Sequence, residues 1–200
     1  MGYVSDLVDV YVARKTGASR PEFGLDAYTV LESNIKALWL EYMNDAVDTD
    51  KLLFWEDTST ETRHFRDAFT ALVVAYFNVA RILLSLVTPR LPDGFPTLSD
   101  DYTSILLASQ YLQTHTVGCA YMRMATPLLL VALHSPEPNQ RNQATAYFEG
   151  WTQRSMSGVS TLALETIRRN HFYERDRTRE PWQNSRLINT YMQLFSHKNQ

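Results

Sequence analysis

Apolar residues recur at helical spacing along most of this chain. Leu31, Ile35, Leu38, Trp39, Tyr42 and Met43 share one face of a helix predicted from an N-cap at Asp26 to about Val47. Ser5 heads a shorter helix to Lys15, apolar at Leu7, Val8, Val10 and Tyr11. Ser99, followed by Asp100 and Asp101, marks another start, because acids suit the positive end of a helix. Its stripe is Tyr102, Ile105, Leu106, Ala108 and Leu112, and the helix is expected to run on through Gly118, Tyr121 and Met122. Pro127 lacks an amide and clashes with the preceding turn, so a kink or break is expected near Thr126. Leu128 to Leu133 form a short apolar run. A turn from Ser135 to Asn139 leads to a helix from about Gln140 to Trp151. After a break at Met156-Ser157-Gly158, a further helix from Val159 to Phe172 uses Leu162, Leu164, Ile167 and Phe172.

Between these segments the pattern changes. Thr16 to Pro21 reads as a loop by its Gly, Ser and Pro content. Asp45, Asp48 and Asp50 sit unfavourably at a helix C-terminus, so the first long helix should end there. Asp48 to Asp57 reads mainly as a loop anchored by Leu52, Leu53, Phe54 and Trp55. That cluster is either packing or a lid over a pocket. Thr58 and Glu61 have capping-box spacing and predict a long helix from about Glu61 to Val87. Phe69 to Val87 is apolar enough to raise the membrane question. Arg81 in its middle would cost about 2.5–3.5 kcal/mol on insertion, so the segment reads as the buried central helix of a bundle. Pro89, Pro92, Gly94 and Pro96 make a rigid loop back to Ser99. The alternating charges of Glu174 to Glu180 lead to Pro181, which suits the first position of a last helix. That helix carries Trp182, Leu187, Ile188, Tyr191, Leu194 and Phe195, an apolar side to dock on the bundle or on a second subunit. The pattern as a whole predicts one all-α domain of about six to eight helices. Residues 1–24 would be an N-terminal helix and loop, 25–172 the core, and 173–200 the charged segment and C-terminal helix.

Composition removes several classes. With 200 residues the chain can bury a core, and a single cysteine allows no internal disulfide. Met1 to Lys15 lacks the basic start and apolar centre of a secretion signal. Gly2 is not followed by Ser or Thr at position six, which is Asp6, so the myristoylation pattern fails. The net charge of −3 hides an asymmetry. Residues 1–62 carry twelve acids and five bases, whereas residues 137–200 carry six acids and nine bases. The two ends could meet within one fold or between two subunits, and neither forms a nucleic-acid patch. No two of His64, His115, His134, His171 and His197 have metal-ligand spacing on a helix, so no metal site is expected. Cys119, one turn from His115 on the predicted helix, suits a small buried thiol better than a nucleophile. No phosphate cradle is present, because the glycines are isolated.

One resemblance stands out. Gly118, Arg123, the run Pro127 to Ala132, then Gln140-Arg141 and the aromatics to Trp151 resemble the C-terminal regulatory region of fungal binuclear zinc-cluster transcription factors. Tyr76 to Leu84 resembles that family's long helix. The similarity spans roughly Asp67 to Arg169. It implies an all-α fold and a regulatory or effector-sensing role, and it carries no catalytic residues. Those factors bind DNA through six cysteines holding two zinc ions. This chain has only Cys119, so that route to DNA is closed to it.

Buried polar groups are the remaining clue. Asn78, Arg81, Gln110, His115 and Arg123 lie in or beside apolar stripes. A buried Arg needs a distant acid or a cavity. The expected ligand-binding set is Arg81, Tyr111, His115, Tyr121 and Arg123. No catalytic residue, metal or cofactor is assigned. The expected function is a regulatory helical module that binds a partner protein or a small hydrophobic ligand. It would be a possible homodimer, nuclear or cytoplasmic, with no direct nucleic-acid or membrane binding. The alternative is a stand-alone enzyme of fungal secondary metabolism acting on a small hydrophobic metabolite in an enclosed pocket.

Overall fold

The computed structural model describes Leu7, Val10 and residues 25–49, 52–57, 62–87, 99–115, 118–152 and 156–175. The chain folds as an all-α domain with one small hairpin. The elements are α1 (Leu25–Asp48), β1 (Phe54–Asp57), β2 (Thr62–Phe65), α2 (Ala68–Val87), α3 (Ser99–Thr114), α4 (Gly118–Met122), α5 (Ala125–His134), α6 (Pro138–Thr152) and α7 (Ser157–Arg175).

α2 is the hub. By length and composition it could cross a membrane, yet 61% of its most apolar window is buried within the fold. It packs against α1, α3, α4, α5 and β2. Val74, Val79, Ile82, Leu83 and Leu84 meet Ile105, Leu112, Leu128 and Leu129 in one continuous core. Asn78 is buried there, and its Nδ2 donates to the Val74 carbonyl at 2.8 Å, which satisfies that amide. Leu7 and Val10, one turn apart in the first predicted helix, are helical and belong to the same core. Trp39 of α1 stacks on Phe77 of α2, with centroids 4.1 Å apart and planes 15° apart. Leu38 departs from the predicted stripe and is 54% exposed.

The hairpin corrects two expectations. Residues predicted as loop form β1, and the helix predicted from Glu61 begins only at Ala68. β1 and β2 pair antiparallel in the register Phe54↔Phe65, Trp55↔His64, Glu56↔Arg63 and Asp57↔Thr62. Phe65 is buried in the core, where it meets Tyr111 edge-on at 5.3 Å. Arg63 lies over the Phe54 ring at 4.6 Å, pairs with Glu56 and donates to the Ser104 hydroxyl at 3.1 Å. The helix starts late because its cap lies downstream of the Thr58–Glu61 pair, which is outside the described residues. Asp67 Oδ1 accepts from the Thr70 amide at 2.7 Å and satisfies an orphan donor of the first turn.

Two breaks also differ from expectation. α3 stops at Thr114 instead of continuing to Met122. Several groups converge on the Tyr111 carbonyl near its end: the His115 amide donates to it at 3.1 Å, the Thr114 hydroxyl donates to it at 2.9 Å, and His115 Nδ1 lies 2.9 Å away. His115 and Cys119 therefore do not share one continuous helix. The break expected near Thr126 occurs at Arg123-Met124, closed by bonds from Arg123 N to Ala120 O and from Met124 N to Tyr121 O at 3.1 and 3.0 Å. Pro127 is the third residue of α5, where the amide it lacks would have no intrahelical acceptor. The apolar run after it is buried throughout.

The turn from α5 to α6 is held by two side chains. Gln140 accepts from the Ser135 hydroxyl and donates to Thr103 Oγ1 at 3.0 Å and Ser99 O at 3.3 Å. Arg141 donates to the Ser135 and Pro136 carbonyls at 2.6 and 3.1 Å. Ser99, the predicted cap, donates its hydroxyl to Glu137. α7 packs on α6 and α5, and the buried Ser160 hydroxyl donates to Phe148 O. The predicted last helix, with Trp182 to Phe195, lies outside the described residues.

Candidate binding cleft

The five expected ligand-binding residues have separate settings. Arg81 pairs with Asp101 at 3.1 Å, the structural partnership with a distant acid. The Arg81 side chain remains 44% exposed, while that of Asp101 is only 5% exposed. Burial raises the Asp101 carboxyl above its ordinary value, Arg81 opposes the rise, and Asp100 adds to it. Tyr111 stacks on His115 with centroids 4.0 Å apart, at the exposed end of α3. Tyr121, on α4, meets Trp151 edge-on at 5.0 Å. The neighbouring phenol of Tyr147 is pushed up to about 12, first by burial and then by Tyr121. Arg123 is exposed, and its carbonyl accepts from the Tyr76 hydroxyl at 3.0 Å. Burial raises the Tyr76 phenol, and the Arg123 charge opposes that. The structure thus brings Tyr111 to His115 and leaves the other three with different neighbours.

A concave feature lies elsewhere among the described residues. A cleft of about 1140 Å³ is lined by Tyr42, Asp45, Ala46, Thr49, Leu52, Leu53, Trp55, Arg66 and Asp67. One wall is the C-terminal half of α1. Tyr42, Asp45 and Thr49 share a face because they are spaced three and four residues apart. The opposite wall is the chain leading into β1, held in place where the Arg66 amide donates to Leu53 O at 3.0 Å. Leu53 is buried beneath, whereas Leu52 is 70% and Trp55 48% exposed. Trp55 sits opposite His64 in the hairpin, and their rings stack at 5.7 Å. None of the five expected residues lines this cleft. Tyr111 is linked to it through charge: burial raises its phenol, and Asp67 raises it further.

The polar groups of the cleft are unevenly matched. Arg66 Nε and Asp67 Oδ2 pair at 3.1 Å. Burial pushes the Asp67 carboxyl up, but hydrogen bonds from Thr70 and Arg66 outweigh it and hold the group below its ordinary value. Thr49 closes the end of α1, donating its amide and hydroxyl to Asp45 O at 3.2 and 2.7 Å. The Tyr42 hydroxyl is buried and has no hydrogen-bond partner among the described residues. No three His, Cys, Asp or Glu side chains gather as a metal cage among the described residues.

Sequence reasoning named Leu52, Leu53 and Trp55 as packing or a lid but did not place α1 against them. The acids at the end of α1 were the available signal, since they are unfavourable for the helix itself. Comparison with protein-family models, curated proteins and solved structures finds no match.

Proposed function

We propose that this chain is a binding module with a regulatory role, and that it takes an apolar ligand or a segment of a partner protein in the cleft between α1 and the hairpin. The supporting observation is the exposure of Leu52 and Trp55, at 70% and 48%, on the walls of a concave site of about 1140 Å³. A chain that only needed to fold would gain by burying those side chains or making them polar. The resemblance of Tyr76 to Leu84 and Gly118 to Trp151 to a fungal regulatory region supports a regulatory outcome over a chemical one.

The test is titration with Nile red, an uncharged dye that brightens in apolar sites. The native protein is expected to enhance its emission with saturation, and Leu52→Asp and Trp55→Ala are expected to abolish most of that signal with the urea midpoint unchanged. Equal enhancement by native and variant proteins would overturn the proposal.

A further inference from the structure

The chemistry of the cleft walls selects a class of occupant, an inference that rests on the binding function proposed above. The cleft, of about 1140 Å³, is open rather than enclosed. Outside the lining residues, Leu38 lies on the same face of α1. Leu38, Tyr42, Asp45 and Thr49 follow at steps of four, three and four residues, which places them on one face. Leu38 is 54% exposed at one end of that face and Leu52 is 70% exposed beyond the other. A track of this form, apolar at its ends and several helical turns long, matches the way a groove receives an amphipathic helix.

The charges select the kind of helix. Glu41 and Asp45 are exposed and one turn apart, Asp45 lining the cleft and Glu41 beside it on α1. α1 has no basic residue in its last turn. Its single base, Lys36, is paired with Glu32 at 2.6 Å. Among the described residues, the cation lining the cleft is Arg66, already paired with Asp67. The helix end adds negative potential of its own. Acids there oppose the helix, and such departures from local preference are expected at functional sites. Trp55 adds an exposed aromatic surface that favours a Lys or Arg. We infer that the cleft docks a basic amphipathic helix of a partner protein, with its apolar stripe over Leu38, Leu52 and Trp55 and its Lys or Arg side chains against Glu41 and Asp45.

The test uses the full 200-residue chain and three fluorescent synthetic peptides, read by anisotropy. One is an 18-residue helix of Leu and Lys with an apolar stripe, of about five turns. The second replaces Lys by Glu, and the third scrambles the first to remove the stripe. The striped Leu/Lys peptide is expected to bind at least tenfold tighter than either control, and more weakly as salt rises. Leu38→Ser and Leu52→Ser should each weaken it about tenfold. Glu41→Lys with Asp45→Lys should transfer the preference to the Leu/Glu peptide. Equal binding of the scrambled peptide, or of the Leu/Glu peptide, overturns the inference. So does self-association of the chain that Leu52→Ser abolishes, since a second copy would then be the occupant. If Nile red still reports the cleft while the peptides do not discriminate, this inference fails alone. Loss of both signals removes the binding reading as well.

Discussion

Gln140 is 7% exposed and ties the α5–α6 turn to the first turn of α3. Its Oε1 accepts from Ser135, and its Nε2 donates to Thr103 and to the Ser99 carbonyl. Truncation to Ala removes those three bonds. At about 1 kcal/mol each, and with some lost packing, Gln140→Ala should cost about 3–4 kcal/mol. For a chain of this size that corresponds to a fall in Tm of roughly 6–16 °C. Gln140→Met separates the two causes, because it keeps most of the volume and removes the polar groups. It should still cost about 2 kcal/mol. Urea denaturation followed by far-ultraviolet circular dichroism is the assay, with the m-value unchanged. A double-mutant cycle with Ser135→Ala should give a coupling of about 1 kcal/mol. The reasoning is refuted if Gln140→Met lies within about 0.5 kcal/mol of the native protein, since the bonds would then contribute nothing net.

Three further outcomes are expected. Asp67→Ala should cost about 1 kcal/mol as a lost cap. Because the folded carboxyl lies below its ordinary value of 3.8, the difference from native should be full above that value and shrink as pH falls through the folded pKa. A difference independent of pH would sink this assignment. Asp101 shifts the other way: its raised pKa contributes stability that is complete below 3.8 and lost as pH rises through the folded value. Asp101→Asn should therefore flatten the decline toward neutral pH and cost under about 1 kcal/mol at pH 7; a loss of several kcal/mol there would show that the Arg81 pair is a net stabiliser. Gly150, exposed in α6 with nothing within 4 Å of an added Cβ, should accept Ala with a gain of about 0.5–1 kcal/mol, read as a higher urea midpoint.

Helix existence was legible because long periodic stripes identify themselves. α1 was expected from Asp26 to Val47 and runs from Leu25 to Asp48. What was not legible was decided by side chains acting across short distances. Four-residue strands are too brief for an alternating pattern to outweigh a capping-box spacing, so the pattern predicts helix where β2 forms. Asp67, the actual cap, lacks the Glu three residues on that would have marked it. The end of α3 depends on Thr114 and His115 folding back on Tyr111 O, which no periodicity reports. Arg81 and Asp101 were each visible in the sequence, and their pairing needed the packing of α2 on α3. Gln140 and Arg141, noted for the family resemblance, turn out to brace the α5–α6 turn. The cleft was the least legible feature. Its walls come from one helix end and one hairpin, and neither announces the other.

The placement of α2 early in the chain has a consequence for synthesis. Its 20 residues leave the ribosome before α3 to α7, which supply most of the surfaces that cover them. At roughly 5–20 residues per second, the interval is on the order of ten seconds. For that time the nascent chain displays an apolar segment that, by length and composition, resembles a membrane span. Chaperone engagement, or mistaken capture by the membrane-targeting machinery, would compete with completion of the fold. Expression should therefore respond more to the speed of translation beyond Val87 than the stability of the finished protein would suggest.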